Sequence, residues 1–502
     1  MGGKIKDFDE ITSFLGDYGP FQILIIVLFS LSAIPCGYMG VLAVFVSDTP
    51  EHHCKTVLLS NETEQCLDGW VYSTERYTAT IVSEWDLVCD NAWKVPFSTS
   101  SFFVGVLIGS FISGHLSDRF GRKPVFFFTM VLQTVATLIQ ATSVSWVMFS
   151  ILNCLRGLGQ ISNYIVSLVL GEKKSTAPFC CPGYKQLLVF SVLGFGIGYA
   201  LLPLFAYFIR GWRMLLVATA IPGFLFIPTW WLIPESPRWL LQKGRVEEAE
   251  LVIRNAAKRN RVPVPEVIFR AGECLELMQT YTYMDLIRTR NMRNITMMSV
   301  AMVFYGLSLN TSNVNGNVYL NCFISAAIDI MVYVASWLLV NRVPRPTLLF
   351  STLMFCGITL LIIRLLPEVV YAFYSSCLFV LALVGRMGVS SAYCLIYVFF
   401  TELIPTVVRN MGLGIASTAA RIGTIICPYV IYIGVYSKML PYIVFGTISI
   451  MAAVVSMLLP DTRNGKLPSL ISQHPFVYAY IKKMFHNCKN KRLETKQSMS
   501  NM

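Results

Sequence analysis

Twelve long apolar runs, separated by short polar stretches, organise this chain. They fall at about 22–46, 95–114, 124–143, 146–170, 187–208, 213–233, 295–313, 318–340, 347–366, 371–399, 411–434 and 440–459. Each is near the roughly 20 residues that an α-helix needs to cross about 30 Å of hydrocarbon. The pattern predicts an all-α membrane protein with twelve transmembrane helices. The first run is too long for the apolar core of a signal peptide and lacks a small-residue cleavage site. It reads as helix one, preceded by a cytosolic segment, 1–21.

The polar stretches divide by charge. Residues 47–94 hold nine acids against Lys55, Arg76 and Lys94, with Cys54, Cys66, Cys89 and the sequon Asn61-Glu62-Thr63. An acidic, cysteine-bearing, glycosylatable loop belongs outside the cell. Three cysteines allow one disulfide within the loop and leave one thiol over. Residues 234–294 are dense in both signs of charge and read as a cytosolic helical loop, followed by helices seven to twelve (295–459). The tail 460–502 is basic, as are the short loops 115–123 and 341–346. Basic loops on one side and the acidic loop on the other place both termini inside.

The two halves repeat. Pro234-Glu235-Ser236 closes the sixth run and Pro460-Asp461-Thr462 the twelfth, 226 residues later. Arg156 precedes Glu172 by 16 residues, and Arg386 precedes Glu402 by the same 16. Two six-helix halves in parallel repeat, with a substrate site between them near the midplane, is an arrangement of secondary transporters.

Composition sharpens this. The 502 residues are 55% hydrophobic and only 14% charged, with a mean hydropathy of +0.60. A soluble globular chain carries about 25% charged residues, so a soluble enzyme is a poor reading. The net charge of +12 lies in loops between apolar runs, which is a topology signal and not a nucleic-acid footprint. No phosphate-binding GxxxxGK[ST] loop is present. All five histidines lie outside the apolar runs, which argues against Ser/His/Asp catalysis and a histidine proton relay. No Cys/His spacing reads as a metal site. No oligomeric state follows from the sequence.

The stretches SDRFGRK (117–123) and PESPRWL (234–240) resemble the major facilitator superfamily. SEWDLVC (83–89), FFVGVLIGSFISG (102–114), GQISNY (159–164), LPLFAYFIR (202–210) and ELIPTVVRNMG (402–412) are similar to the organic ion transporter family, and within it to the organic cation/carnitine transporters. The resemblance spans nearly the whole chain. It implies facilitated or sodium-coupled plasma-membrane uptake of zwitterions and organic cations, with no cofactor beyond a coupling sodium ion. Four features depart from the family, one of them an extracellular loop shorter than usual. Residues 172–186 replace a GTE-x-x-GKS-like loop, Cys36 stands where the carnitine carriers have Asn, and the seventh helix, ending YGLSL (305–309), is short.

Charges inside apolar runs are costly and default to functional candidates. Arg421 lies about ten residues into helix eleven. Its guanidinium needs an anion, either a substrate carboxylate bound in bidentate fashion or a protein acid; the resemblance implies the substrate. Asp329, about eleven residues into helix eight, faces either a substrate cation or sodium, or else Arg386 or Arg156. Tyr164, Tyr305 and Tyr397 fall on cavity-lining helices and suit a cage for a trimethylammonium group, which has no N–H donors. Gln133 and Asn163 resemble pocket positions of the carnitine carriers. Asp118, Arg119, Arg122, Glu235, Arg238, Glu402 and Arg409 lie on the basic side and form a candidate latch whose ion pairs change between two rocking states. Glu402 is also a candidate sodium ligand.

These residues point to an alternating-access transporter of carnitine-like zwitterions. The rivals are a polyspecific organic cation carrier dominated by Asp329, and a non-transporting receptor or pseudo-transporter favoured by the altered 172–186 segment. Asn61 is expected to carry glycan, while Asn294 in the sequon Asn294-Ile295-Thr296 is expected to stay bare. Enzymatic deglycosylation should therefore shift the wild-type band and leave Asn61→Gln unmoved. A residual shift would implicate Asn310, in the sequon Asn310-Thr311-Ser312, or reverse the topology.

Overall fold

The computed structural model describes residues 13–15, 19–54, 69–170, 182–265, 268–269, 292–310, 316–339, 342–365, 371–403 and 409–459. Among the described residues, twelve long helices carry the bundle: α1 (Pro20–Val41), α2 (Lys94–Phe120), α3 (Arg122–Ala141), α4 (Trp146–Leu170), α5 (Pro182–Phe208), α6 (Trp212–Leu225), α7 (Met292–Leu309), α8 (Val318–Leu339), α9 (Arg345–Ile362), α10 (Tyr371–Leu403), α11 (Arg409–Tyr432) and α12 (Leu440–Ser456). Among the described residues, eight helical segments are long and apolar enough to cross a membrane, and three more are shorter apolar helices. Large side chains such as Phe111, Phe128, Phe208 and Trp231 point outward from the bundle and are exposed. Such a belt has a physical partner in lipid and none in water.

Several boundaries differ from the hydropathy pattern. Helix α2 continues six residues past its apolar run to Phe120, so His115 lies on the helix and not beyond it. Gly121, at φ +106°, stops it. Helix α10 runs 33 residues, to Leu403. Helix α6 stops at Leu225 and passes into a 3₁₀ turn at Ile227–Trp231 that contains Pro228, which has no N–H to continue the ladder. Within the altered 172–186 segment, helix α5 already starts at Pro182, because a proline's missing N–H is harmless in a first turn. Residues 171–181, the sequon Asn61 and the basic tail lie outside the described residues.

At the acidic end, the loop after α1 adds the only departure from an all-helical chain among the described residues. Strands β1 (His52–Cys54) and β2 (Trp70–Tyr72) pair antiparallel, His52 opposite Tyr72. Cys54 is disulfide-bonded to a residue outside the described set, and Cys89 has a free thiol. Glu84 ties this loop to α6, accepting from Trp212 Nε1 at 2.7 Å and pairing with Arg213. Arg213 in turn donates to the carbonyls of Ala141, at the end of α3, and Ser143, just beyond it, both at 2.8 Å.

At the basic end, helix Val246–Asn260 packs with Trp239, Leu240 and Leu15 into a small separate core. Asn260 accepts from the Phe21 N–H at 3.0 Å and donates to the Leu15 carbonyl at 3.2 Å, which caps the start of α1. Within the first half, α1 and α5 approach backbone to backbone. A Cβ on Gly37 would meet the Phe195 carbonyl at 2.2 Å, and one on Gly198 the Ile34 carbonyl at 2.1 Å.

Gly121 illustrates how the basic end is held. Glu235 accepts from the backbone N–H groups of Arg122 (3.1 Å) and Lys123 (3.1 Å), capping the start of α3, and from Ser236 (2.9 Å). A Cβ at Gly121 would stand 2.6 Å from Glu235 Oε2, on a backbone that L-residues disfavour. Gly121→Ala should therefore destabilise the protein by about 1–3 kcal/mol, lowering the thermal midpoint of the detergent-solubilised protein. Gly211→Ala, where a Cβ meets nothing within 4 Å, should leave the midpoint unchanged.

Candidate functional site

The bundle buries one ion pair and a further arginine, Arg421, in the centre of the second half. Asp329 is the twelfth of 22 residues in α8, and Arg386 sits midway along α10. Arg386 donates to both carboxylate oxygens, Nη2 at 2.6 Å and Nε at 3.2 Å, and Ser390 Oγ adds a third bond at 2.6 Å. Both side chains are 2% exposed or less. Ser390 lies one turn beyond Arg386, so α10 presents cation and hydroxyl on one face. The Arg386 guanidinium also lies 5.1 Å from the Tyr199 ring centroid and 5.7 Å from that of Phe304. The structure thus places Asp329 in an ion pair with Arg386, one of the two arginines weighed as its partner.

Arg421 is different. It is the thirteenth of 24 residues in α11 and 3% exposed. Its guanidinium lies 5.7 Å from the Tyr305 ring centroid, and the phenols of Tyr397 and Tyr393 are its other electrostatic neighbours. Among the described residues, no carboxylate pairs with it, and its Nε has no hydrogen-bond partner. The surrounding rings form one cluster. Tyr393 stacks on Phe304 with centroids 4.3 Å apart and an interplanar angle of 10°. It meets Tyr397 edge-on at 5.3 Å. Tyr305 meets Phe103 of α2 at 5.2 Å, so the cluster reaches the first half.

Tyr305, Tyr397 and Arg421 are therefore brought together, as the sequence suggested separately for each. Tyr393, Phe304 and Tyr199 were missed. The signal was available for Tyr393: Arg386, Ser390, Tyr393 and Tyr397 follow the i, i+4, i+7, i+11 spacing of one helix face. Gln133 is buried on α3, its side-chain oxygen unpartnered among the described residues. Asn163 and Tyr164 lie on α4, but their side chains are outside the described residues. Cys36 is buried on α1, where its carbonyl accepts from Gln160 Nε2 at 2.6 Å.

The residues proposed as a latch fall into two groups. Arg122 is buried and donates through Nη1 to Ser236 Oγ at 3.1 Å, beside the Glu235 cap. Arg122 and Glu235 both belong to the first half, so this contact travels with that half. Arg119 is exposed at the end of α2, its guanidinium 5.4 Å from the Phe120 ring centroid. The backbones of Asp118, Arg238, Glu402 and Arg409 lie on α2, on helix Pro237–Gln242, and at the facing ends of α10 and α11, and their side chains are outside the described residues.

Two six-helix halves enclosing a buried, partly uncompensated charge cluster define a membrane transporter, not an enzyme. Residues 37–469 match the sugar (and other) transporter family model. The chain is 43% identical to the rat (Rattus norvegicus) organic cation/carnitine transporter 2, covering 93% of this chain and 94% of that one. It is 42% identical to the human (Homo sapiens) protein of the same name over the same shares, and 33% identical to an organic cation transporter protein of Drosophila melanogaster over 92% and 94%. In fold it is similar to the proton:xylose symporter XylE bound to a sugar analogue, with a TM-score of 0.65 at 17% identity, covering 89% of this chain and 98% of that one. The chain belongs to the major facilitator superfamily, in its sugar (and other) transporter family, and there to solute carrier family 22.

Breaking the buried pair from one side leaves a lone charge in the core. Asp329→Leu should cost roughly 3–5 kcal/mol and sharply lower the amount of folded protein in detergent. The double variant Asp329→Leu/Arg386→Met should recover most of the lost thermal stability. Equal losses in the single and double variants would show that the pair does not set the stability of α8 and α10.

Proposed function

We propose that this protein carries small zwitterions with a quaternary ammonium and a carboxylate, carnitine foremost, across the plasma membrane by alternating access. Both termini are then cytosolic and the 47–94 loop is extracellular. The observation that carries the reading is the contrast between Arg386 and Arg421 at the centre of the second half. Arg386 is matched by Asp329, whereas Arg421 has no carboxylate partner among the described residues. A guanidinium in that position is stabilised by an anion that arrives with the substrate. The relatives named organic cation/carnitine transporters support the same substrate class.

The pairing of Asp329 changes how the cationic end is received. A carboxylate already held by Arg386 and Ser390 has little left to offer an ammonium group. The faces of Tyr305, Tyr393 and Tyr397 supply the attraction instead, through the ring quadrupole. Each such contact is worth about 0.5–2 kcal/mol. In this reading Gln133, Asn163 and Tyr164, on α3 and α4, are the candidate pocket residues of the first half. Sodium is the coupling ion in this reading, with Glu402 at the end of α10 as its carboxylate.

Radiolabelled carnitine uptake by expressing cells, with and without sodium, tests the reading directly. Arg421→Ala removes the partner of the substrate carboxylate and should lower carnitine uptake about 100-fold at matched surface expression, a loss of about 2.7 kcal/mol. Tetraethylammonium, which has no carboxylate, should change less than about threefold, since it has no interaction with a carboxylate partner to lose. If both fall equally, Arg421 is structural and the protein is a carrier of another substrate class.

A further inference from the structure

We propose that Asp48 forms an outer docking site for the cationic end of the substrate, in a vestibule distinct from the central cluster. This deepens the proposed function and rests on it. A cavity of about 610 Å³ opens at the acidic end, between the segment after α1, the start of α2 with the residues before it, and the ends of α7, α10, α11 and α12. It stands over the central site. Its wall residue Pro428 lies seven residues along α11 from Arg421, roughly 10 Å of helix rise. Its wall residue Leu309 lies one turn beyond Tyr305 on α7.

Asp48 is the only carboxylate among the described residues lining this cavity. Its side chain is 10% exposed. Neutral donors hold it in place: the Tyr77 hydroxyl donates to Oδ2 at 2.7 Å and the Thr49 N–H donates to Oδ1 at 3.1 Å. The nearest cation, Arg76 Nη1, is 3.8 Å away and half exposed. This ion pair is long and its arginine is half exposed to water, so it offsets the Asp48 charge only in part. Tyr77 is buttressed by Tyr319 of α8, with ring centroids 6.3 Å apart, and the Tyr319 hydroxyl donates to the Arg76 carbonyl at 3.0 Å. The remaining titratable groups on the cavity wall are His52, Cys89 and Lys438, with the tyrosines Tyr432 and Tyr442. Lys438, on the α11–α12 connection, is the counterpart for a substrate carboxylate. A zwitterion therefore meets one charge of each sign before it reaches Arg421.

Burial raises the Asp48 carboxyl to about 6, against the opposing effects of the Tyr77 hydrogen bond, the Arg76 charge and the Thr49 N–H. The carboxylate that attracts a cation is present above that pH and is lost as the pH falls through it. Asp48→Asn keeps an oxygen for Tyr77 and removes the charge.

The experiment is the concentration dependence of tetraethylammonium uptake from pH 8 to pH 5 at matched surface expression. Wild-type KM should rise about tenfold as the pH falls through 6. Asp48→Asn should show the raised KM already at pH 7.5, flat with pH, with a maximal rate within about twofold of wild type. Asp48→Glu should retain the pH dependence. His52→Gln should also retain it, which separates the carboxylate from the imidazole beside it. Wild-type KM and pH dependence in Asp48→Asn would overturn the docking site alone, as would loss of the pH dependence in His52→Gln or an equal fall of maximal rate in the Asn and Glu variants. Absence of both carnitine and tetraethylammonium uptake by the wild type would overturn the proposed function as well.

Discussion

A charge held away from water must be matched where it stands, and that requirement arranges the centre of this molecule. Asp329 and Arg386 meet it in bidentate geometry, with Ser390 taking a further lone pair of the carboxylate. Two hydrogen bonds and a hydroxyl fix the rotation and depth of α10 against α8 more narrowly than apolar packing does. The contact also reaches across the halves, because Tyr199, on α5 of the first half, lies against the same guanidinium. A buried pair is weak as a source of stability and strong as a specifier of register. In a transporter the register matters, since it places Tyr393 and Tyr397, on the same face of α10, beneath Arg421.

The internal repeat is kept in backbone and broken in charge. Arg156 on α4 and Arg386 on α10 occupy matching places relative to Glu172 and Glu402. Both are buried. Arg386 has its acid, whereas Arg156 lies 4.9 Å from the Phe102 ring centroid, and no ion pair to it is present among the described residues. A ring face attracts a cation without neutralising it. The second half therefore carries a matched pair plus Arg421, and the first half carries a cation on an aromatic face with the amide Gln133 near it in depth. Substrate selectivity then follows from a duplicated scaffold with unequal side chains.

Much of the architecture was legible because twelve apolar runs of spanning length admit few arrangements. The ends of the helices were less so. Helix α2 outlasts its apolar run by six residues, through the polar Ser117 and Arg119, and ends where Gly121 takes a positive φ. The β1–β2 hairpin was invisible, since three-residue strands leave no periodicity to read. Arg421 and Asp329 were found at once, because an intramembrane charge is rare in any sequence. The partner of Asp329 stayed open between Arg386 and Arg156, which are equivalent on paper, and only the packing of α8 on α10 chooses between them. Tyr393 was overlooked among 23 tyrosines, although its spacing from Arg386 marked the face it shares.

The approach of α1 to α5 has a mechanical meaning. At Gly37 and Gly198 the two backbones touch with no side chain between them. Such a joint has almost no compliance: no rotamer can turn to let one helix slide past the other. Across the halves, Gly196 of α5 meets the side chains of Ile330 and Tyr333 on α8 instead, and side chains can change places. The first half is accordingly stiff along its own seams and yielding along its boundary with the second. A ligand of a few dozen atoms, whose grip on the protein is small beside the energy that holds a helix pair together, has to part only the surface that was built to part.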